Sequence, residues 1–278
     1  MKTALKKHHR TAILLVLFLF IAALAITIAP GYDWINFYHP FSQAALEGRD
    51  PYTTKGVFNP PWLLVITVPF ALLPEPLGGK LFSVAAAVAF FAAVLRLPAK
   101  TPETVMFFLS PLVISAINIG NIDSWVALGM TLPPQIGLFL VLLKPQVGIG
   151  IAVFWLIDSL RSGGIKQAVI IFAPVSLAFL LSVIMFGLYF LGAGDLTQLP
   201  TNISIWPWGL AVGIALLFLA VYKHRSELAM LSGFFFSPYV GIASLSIVLF
   251  SLLRDRRAAV ASFLFTMILF VFMLVISQ

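Results

Sequence analysis

The chain has 278 residues, 61% of them hydrophobic and only 10% charged, with a mean hydropathy of +1.05. Soluble domains are roughly 45–50% apolar and about 25% charged, so a water-soluble enzyme is excluded and the surplus apolar surface must meet lipid. The absence of cysteine removes disulfides, thiolate metal sites and thiol nucleophiles.

The net charge of +7 is concentrated rather than spread as a nucleic-acid surface would be, and no nucleic-acid partner is expected. Five clusters carry 13 of the 17 Lys and Arg: Lys2 to Arg10, Arg96 and Lys100, Arg161 and Lys166, Lys223 and Arg225, and Arg254 to Arg257. With Glu103, Asp158, Glu227 and Asp255 they sum to +9, and the remaining segments sum to −2. Cytoplasmic loops carry such an excess of Lys and Arg. The asymmetry puts the N-terminus in the cytoplasm of a multi-pass protein of the cell membrane.

Taken in chain order, Thr11 to Pro30 reads as a retained signal-anchor helix rather than a cleaved leader. It delivers Gly31 to the outer face. Gly31 to Lys80 reads as the first outer loop, aromatic and polar, with an apolar piece from Leu63 to Leu73 too short to span comfortably. That piece is expected as a re-entrant or interfacial helix, with Pro60 and Pro61 near its first turn, where they cost little.

Leu81 to Leu97 then crosses inward and Val105 to Ile117 outward, ending at Asn118-Ile-Gly-Asn-Ile-Asp123. Between Asp123 and Arg161 the chain must return by an odd number of crossings, interrupted at Pro133-Pro134 and at Lys144-Pro145. Broken helices at membrane depth are tolerated where protein or a wet cavity surrounds them. The rest is regular: Ile165 to Phe190 out, Gly192 to Pro207 external, Trp208 to Tyr222 in, Leu228 to Phe236 out, Val240 to Leu253 in, Ala258 to Ile276 out. The expected fold is one all-α, polytopic transmembrane bundle over residues 1–278, with nine crossings, or eleven if the broken middle forms a full hairpin.

Acids at membrane depth or at the interface are costly, so each is a functional candidate. Asp33 follows the first helix within a few residues, beside Tyr32 and Trp34, where a partly desolvated carboxylate can act as a general base or merely cap a helix. Asp123, between Asn121 and the next helix, can position a substrate hydroxyl, hold a divalent cation together with Asp33, or N-cap. His39 shares the loop of Asp33. Arg49, Lys55 and Lys144 are rare outer-side cations suited to a lipid phosphate, Lys144 above all, although it can also snorkel and Arg49 can pair with Glu47 or Asp50. Tyr52, Trp62, Trp206 and Trp208 read as interface anchors on which a sugar ring could also stack.

The order of these features resembles the GT-C superfamily of membrane glycosyltransferases, in particular the mannosyltransferase-like glycosyltransferase family 87. The resemblance rests on Asp33 after the first helix, then Tyr38, Ala-Leu-x-Gly-x-x-Pro-Tyr at Ala45 to Tyr52, and Pro-Pro-Trp through Leu-Pro at Pro60 to Pro74. It continues with Gly120-Asn121 where the family often has Gly-Gln, Lys144-Pro145-Gln146, and Ser-Pro-Tyr at Ser237 to Tyr239 where Ser-Pro-His is usual. The chain is short for that family. The resemblance implies a sugar donor carried on a polyprenyl phosphate, such as a mannosyl donor, and a lipid or glycan acceptor at the outer face. It implies Asp33 as the base of an inverting transfer. With the residue-by-residue reading, the candidate substrate contacts are Tyr38, His39, Arg49, Asp50, Tyr52, Asn121, Asp123, Lys144, Gln146 and Tyr239. The competing expectation is a non-catalytic accessory subunit of the same fold, packed against partner membrane proteins. A transporter fits less well, because the chain shows no internal repeat.

Overall fold

The computed structural model describes residues 2–28, 30–193 and 202–276, with side chains described at all of these but 2–9, 192–193, 273–274 and 276. The expected outer segment Gly192 to Pro207 lies partly outside the described residues. Among these residues the regular structure is helical, apart from an isolated bridge between Asn202 and Gly241. Three helices among the described residues are long and apolar enough to cross a membrane, or four when one sharply bent pair is counted as a span. The protein is therefore an all-α bundle with the apolar helices of a membrane protein.

The first helix, α1 (Lys2–Ile28), runs antiparallel to α4 (Glu75–Arg96). At one end Arg10 reaches the Ala99 carbonyl oxygen at 3.3 Å; at the other, Trp34 Nε1 donates to the Glu75 carbonyl at 3.1 Å. Of these two, α4 is the inner helix, and small buried residues (Gly78, Gly79, Ser83, Ala86, Ala87, Ala93) let its neighbours approach closely. It begins at Glu75 rather than beyond Lys80, because Pro74 ends the preceding turn and Pro76 suits a first helical turn. The first inter-helix segment is thus shorter than the sequence suggests. It contains a π-helical turn (Trp34–Tyr38), α2 (His39–Leu46) and α3 (Leu64–Ala71), all near the Trp34 end. The apolar piece is indeed too short to span: a 3-10 turn (Pro61–Leu63) leads into the eight residues of α3.

The next outward run is not one helix. It splits into α5 (Thr101–Leu109) and α6 (Pro111–Asn118), because Pro111 has no N–H to donate and Ser110 is extended at ψ 128°. After Asn118 the chain bends by 107° into α7 (Asp123–Gly129), and α8 (Pro134–Val141) brings it back. At seven and eight residues, or roughly 10–12 Å, neither reaches across a hydrocarbon core.

A 42-residue helical run, α9 (Pro145–Phe186), follows. Straight, it would measure roughly 63 Å, yet its two ends lie at the same end of the molecule. Asn59 Nδ2 donates to the Leu143 carbonyl, just before α9, at 2.7 Å. Tyr52, whose hydroxyl donates to the Asn59 carbonyl at 2.8 Å, packs its ring 5.4 Å from that of Phe186. The reversal occurs at Gly164, at φ 65° and ψ −158°, a conformation that a side chain would oppose. α9 is therefore a helical hairpin whose turn sits between Arg161 and Lys166.

The remaining helices are α10 (Gly209–Lys223), α11 (Ser226–Gly233), α12 (Leu245–Leu252) and α13 (Arg256–Ile276). One end of the bundle gathers the basic groups. There Arg161 Nη1 donates to the Val221 carbonyl at 3.1 Å, and buried Glu227 accepts from Arg225 Nε at 2.7 Å and Arg254 Nη1 at 2.8 Å. The opposite end carries Asp33, Asp123 and Lys144.

Candidate functional site

The site is built where the segment after α1 crosses the α6–α7 junction. Gly31 lies against this junction so closely that a Cβ there would clash at 2.0 Å with the Asn118 carbonyl oxygen and at 2.2 Å with the Ile119 Cα. Both are backbone atoms that cannot swing aside. The contact lets the Asp33 N–H donate to the Ile119 carbonyl at 2.8 Å. The junction itself turns through Gly120 at φ 76°. Gly31→Ala is accordingly expected to cost about 1–3 kcal/mol as an overpacking substitution and to part Asp33 from Asn121. Thermal unfolding in detergent reads that loss, and an unchanged midpoint would contradict it.

From this backbone clamp a polar chain of four side chains runs inward. Asn121 Nδ2 donates to Asp33 Oδ2 at 2.7 Å. Asn121 Oδ1 accepts from Lys144 Nζ at 3.1 Å and from the Asp123 N–H at 3.0 Å. Lys144 Nζ also donates to Asp123 Oδ1 at 2.7 Å. Asp123 is fully buried and Lys144 is 7% exposed, whereas Asp33 is only half-buried. The chain thus leads from a buried ion pair to a carboxylate at the rim.

Asp33 has one oxygen engaged by Asn121, while Oδ1 has no hydrogen bond among the described residues. Burial pushes its carboxyl above the ordinary range. Lys144 and the Asn121 hydrogen bond pull it back down, and Asp123 adds a smaller upward push. Tyr38 is buried beside the acids, its phenol pushed well up by burial first and then by Asp33, Asp123 and Tyr239. It is a neutral O–H at any ordinary pH. Tyr239 is half-buried in a turn closed by Ser237, whose Oγ donates to the Tyr239 carbonyl at 2.6 Å.

Other sequence candidates fall outside the polar chain. Arg49 is exposed and bonds Glu47, its Nε at 2.7 Å from Oε2, so its charge is used locally. Asp50 accepts the Tyr52 N–H at 2.9 Å and closes a 3-10 turn (Pro51–Thr53). Tyr52 is a packing residue, stacked 4.6 Å from Tyr189. His39 sits against Trp34, ring centroids 5.6 Å apart, and 3.3 Å from Gln43 Nε2. Burial lowers its proton affinity more than Glu75 raises it. Gln146 is half-buried in the first turn of α9.

The structure also corrects two readings of the acids. Asp123 does not cap α7 with its side chain; Asn121 Oδ1 takes the Asp123 N–H instead. Nor do Asp33 and Asp123 form an open pair for a divalent cation, since the Lys144 ammonium already engages Asp123. No group of three or more His, Asp or Glu gathers among the described residues.

Three groups at the site escape a reading of the sequence. Asn59 positions the backbone just ahead of Lys144, and its place before two prolines, where backbone donors are missing, is the available signal. Ser124 Oγ and Trp125 Nε1 are buried without a hydrogen-bond partner among the described residues, as is Asp123 Oδ2. Nothing in their spacing announces that. No family model, curated protein or solved structure matches the chain, which leaves the Asp33–Asn121–Lys144–Asp123 relay as the ground for a functional assignment.

Proposed function

We propose that this protein is a membrane glycosyltransferase of GT-C type that moves a sugar, such as mannose, from a polyprenyl-phosphate carrier to a lipid or glycan acceptor. The observation that carries the reading is the Asp33 carboxylate, held through Oδ2 by Asn121 while Oδ1 is left open at the rim. In the proposed reaction Oδ1 takes the proton of an acceptor hydroxyl. The acceptor's hydroxyl oxygen, so deprotonated, attacks the anomeric carbon from the side opposite the phosphate. The bond from the anomeric carbon to the phosphate oxygen breaks, with inversion, and polyprenyl phosphate leaves with the electron pair. A phosphate needs no strong acid to depart, so one base and a nearby cation are sufficient chemistry. Lys144 spends two of its three N–H donors on Asn121 and Asp123, and the third is assigned to the donor phosphate.

Nine crossings accompany this reading: α1, α4, α5 with α6, the two arms of α9, then α10, α11 continued through Phe236, α12 with the 3-10 turn (Ile242–Ser244) before it, and α13. α11 and α12 alone are eight residues each, and their flanking turns complete the path from Glu227 at the basic end to Val240, whose carbonyl accepts the Ile203 N–H ahead of α10, and back. The α7–α8 pair is a re-entrant hairpin, and the basic end faces the cytoplasm of a cell-membrane protein. Support comes from the +9 against −2 division of charge. Reporter fusions joined after Tyr52 and after Arg257 are expected on opposite sides of the membrane. The same side for both would overturn the topology.

The direct test is transfer from a radiolabelled polyprenyl-phosphate sugar by the reconstituted protein. An accessory subunit that packs against partner membrane proteins is the second reading, favoured by one observation: the Lys144 charge is already matched inside the protein. Absence of transfer with every donor, together with stable co-purification of a partner, would establish that reading instead.

A further inference from the structure

At the opposite end of the bundle from Asp33 lies a second polar feature, independent of the transfer reading. A cleft of about 240 Å³ opens among the C-terminus of α4, the turn between α7 and α8, the first arm of α9, the start of α11 and the end of α12. Its polar lining includes Arg96, Arg254 and Ser226, and its apolar lining includes Trp155, Met230 and Leu132. Trp155 and Met230 are buried; both arginines are exposed.

The charge at this cleft is unbalanced. Glu227 is the acid bonded there, and it accepts from both Arg225 and Arg254. Among the described residues Arg96 bonds only the Ala92 carbonyl of its own helix, through Nη1 at 2.8 Å. Arg96 and Arg254 thus line the cleft with no acid among its lining residues, while Glu227 and Asp255 lie beside it near Arg225. Each guanidinium carries five N–H donors in a planar fork, and one Nη1 contact apiece leaves Arg96 and Arg254 with most of theirs. The Ser226 hydroxyl forms no hydrogen bond among the described residues and adds a further donor. Donors of this kind around an apolar floor fit an anion with an organic tail, and basic pockets between membrane helices take phosphate headgroups.

We propose that this cleft is a binding site for a phosphate group, clasped between Arg96 and Arg254 with the Ser226 hydroxyl as a third donor. The phosphate comes from an anionic phospholipid headgroup or from a soluble phosphate ester. The apolar lining from Trp155 and Met230 meets the carbon-bound face of the organic group that the phosphate esterifies.

The test compares the protein in nanodiscs of phosphatidylcholine alone with nanodiscs containing phosphatidylglycerol, and in detergent with added glycerol 3-phosphate. Binding is followed by thermal shift and by lipid retention in native mass spectrometry. Phosphatidylglycerol is expected to bind and stabilise. A shift with glycerol 3-phosphate as well would extend the site to soluble esters; a shift with the lipid alone would assign it to headgroups. Either supports the proposal when Arg96→Gln weakens binding about tenfold, the loss of one charge-assisted contact. Arg254→Gln should act likewise, but it also loosens Glu227, so Arg96→Gln is the deciding variant. Lys166→Gln, at the same end but outside the cleft, controls for general attraction of basic residues to an anionic surface. No binding of either probe, or equal weakening by Arg96→Gln and Lys166→Gln, would overturn the site.

Discussion

Lys144→Met is expected to destabilise the protein by about 3–5 kcal/mol, and adding Asp123→Asn to recover most of that loss. Asp123 is fully buried, and Lys144 is its ion-pair partner among the described residues. Its Oδ2 already lacks a hydrogen bond among the described residues, so removing the ammonium strands a buried charge. Methionine nearly preserves the volume and shape of the lysine stem, so the loss comes from charge rather than from a cavity. In the double variant both charges disappear together. The introduced amide can then donate to Asn121 Oδ1 in place of the lost ammonium. Unfolding by graded SDS in mixed micelles gives the four stabilities of this cycle. A Lys144→Met variant as stable as the wild type would show that the pair contributes no net stability.

That pairing also marks the limit of what the sequence displays. Asp33, Asn121, Asp123 and Lys144 are each legible as candidates, because a polar group flanked by apolar spans has few bland reasons to be there. The chain brings all four together. Their bonding is not legible. Asp123 and Lys144 are 21 residues apart, and only the return of α8 alongside α7 places the ammonium 2.7 Å from the carboxylate. Read singly, Lys144 belongs to a phosphate and Asp123 to a helix cap. Arg49 shows the converse: its neighbour Glu47 lies in plain view, and the local pair is the one that forms.

Helix boundaries divide in a similar way. The reversal at Gly164 is visible through charge, because Arg161 and Lys166 bracket it. The break at Ser110 depends on Pro111 alone inside an apolar run, where a kink and a full interruption look alike in sequence. The early start of α4 hides Lys80 inside a helix that composition places in a loop. In each case the missing information is tertiary: which surface a segment packs against decides where it stays helical.

Asp33→Asn is expected to reduce sugar transfer roughly a hundred- to ten-thousandfold, the usual loss when a general base is removed. The substitution is mild in shape. An asparagine oxygen can still accept the Asn121 Nδ2 hydrogen bond, so the contact to the α6–α7 junction survives and the fold should be unaltered. What is lost is the ability to take a proton, since an amide oxygen is a far weaker base than a carboxylate. The pH profile separates this role from mere positioning. Burial holds the Asp33 carboxyl above the usual carboxylate range, against the lowering by Lys144 and Asn121. Transfer should therefore fall as pH drops through that raised value, where Asp33 becomes protonated. Removing Lys144 takes away a lowering influence, so in Lys144→Met the acid limb should move to higher pH while Asp33 is unchanged. Asp50→Asn, on an exposed turn that touches none of the four relay side chains, should keep the wild-type profile. A full rate in Asp33→Asn, or an acid limb unmoved by Lys144→Met, would place the base on another residue.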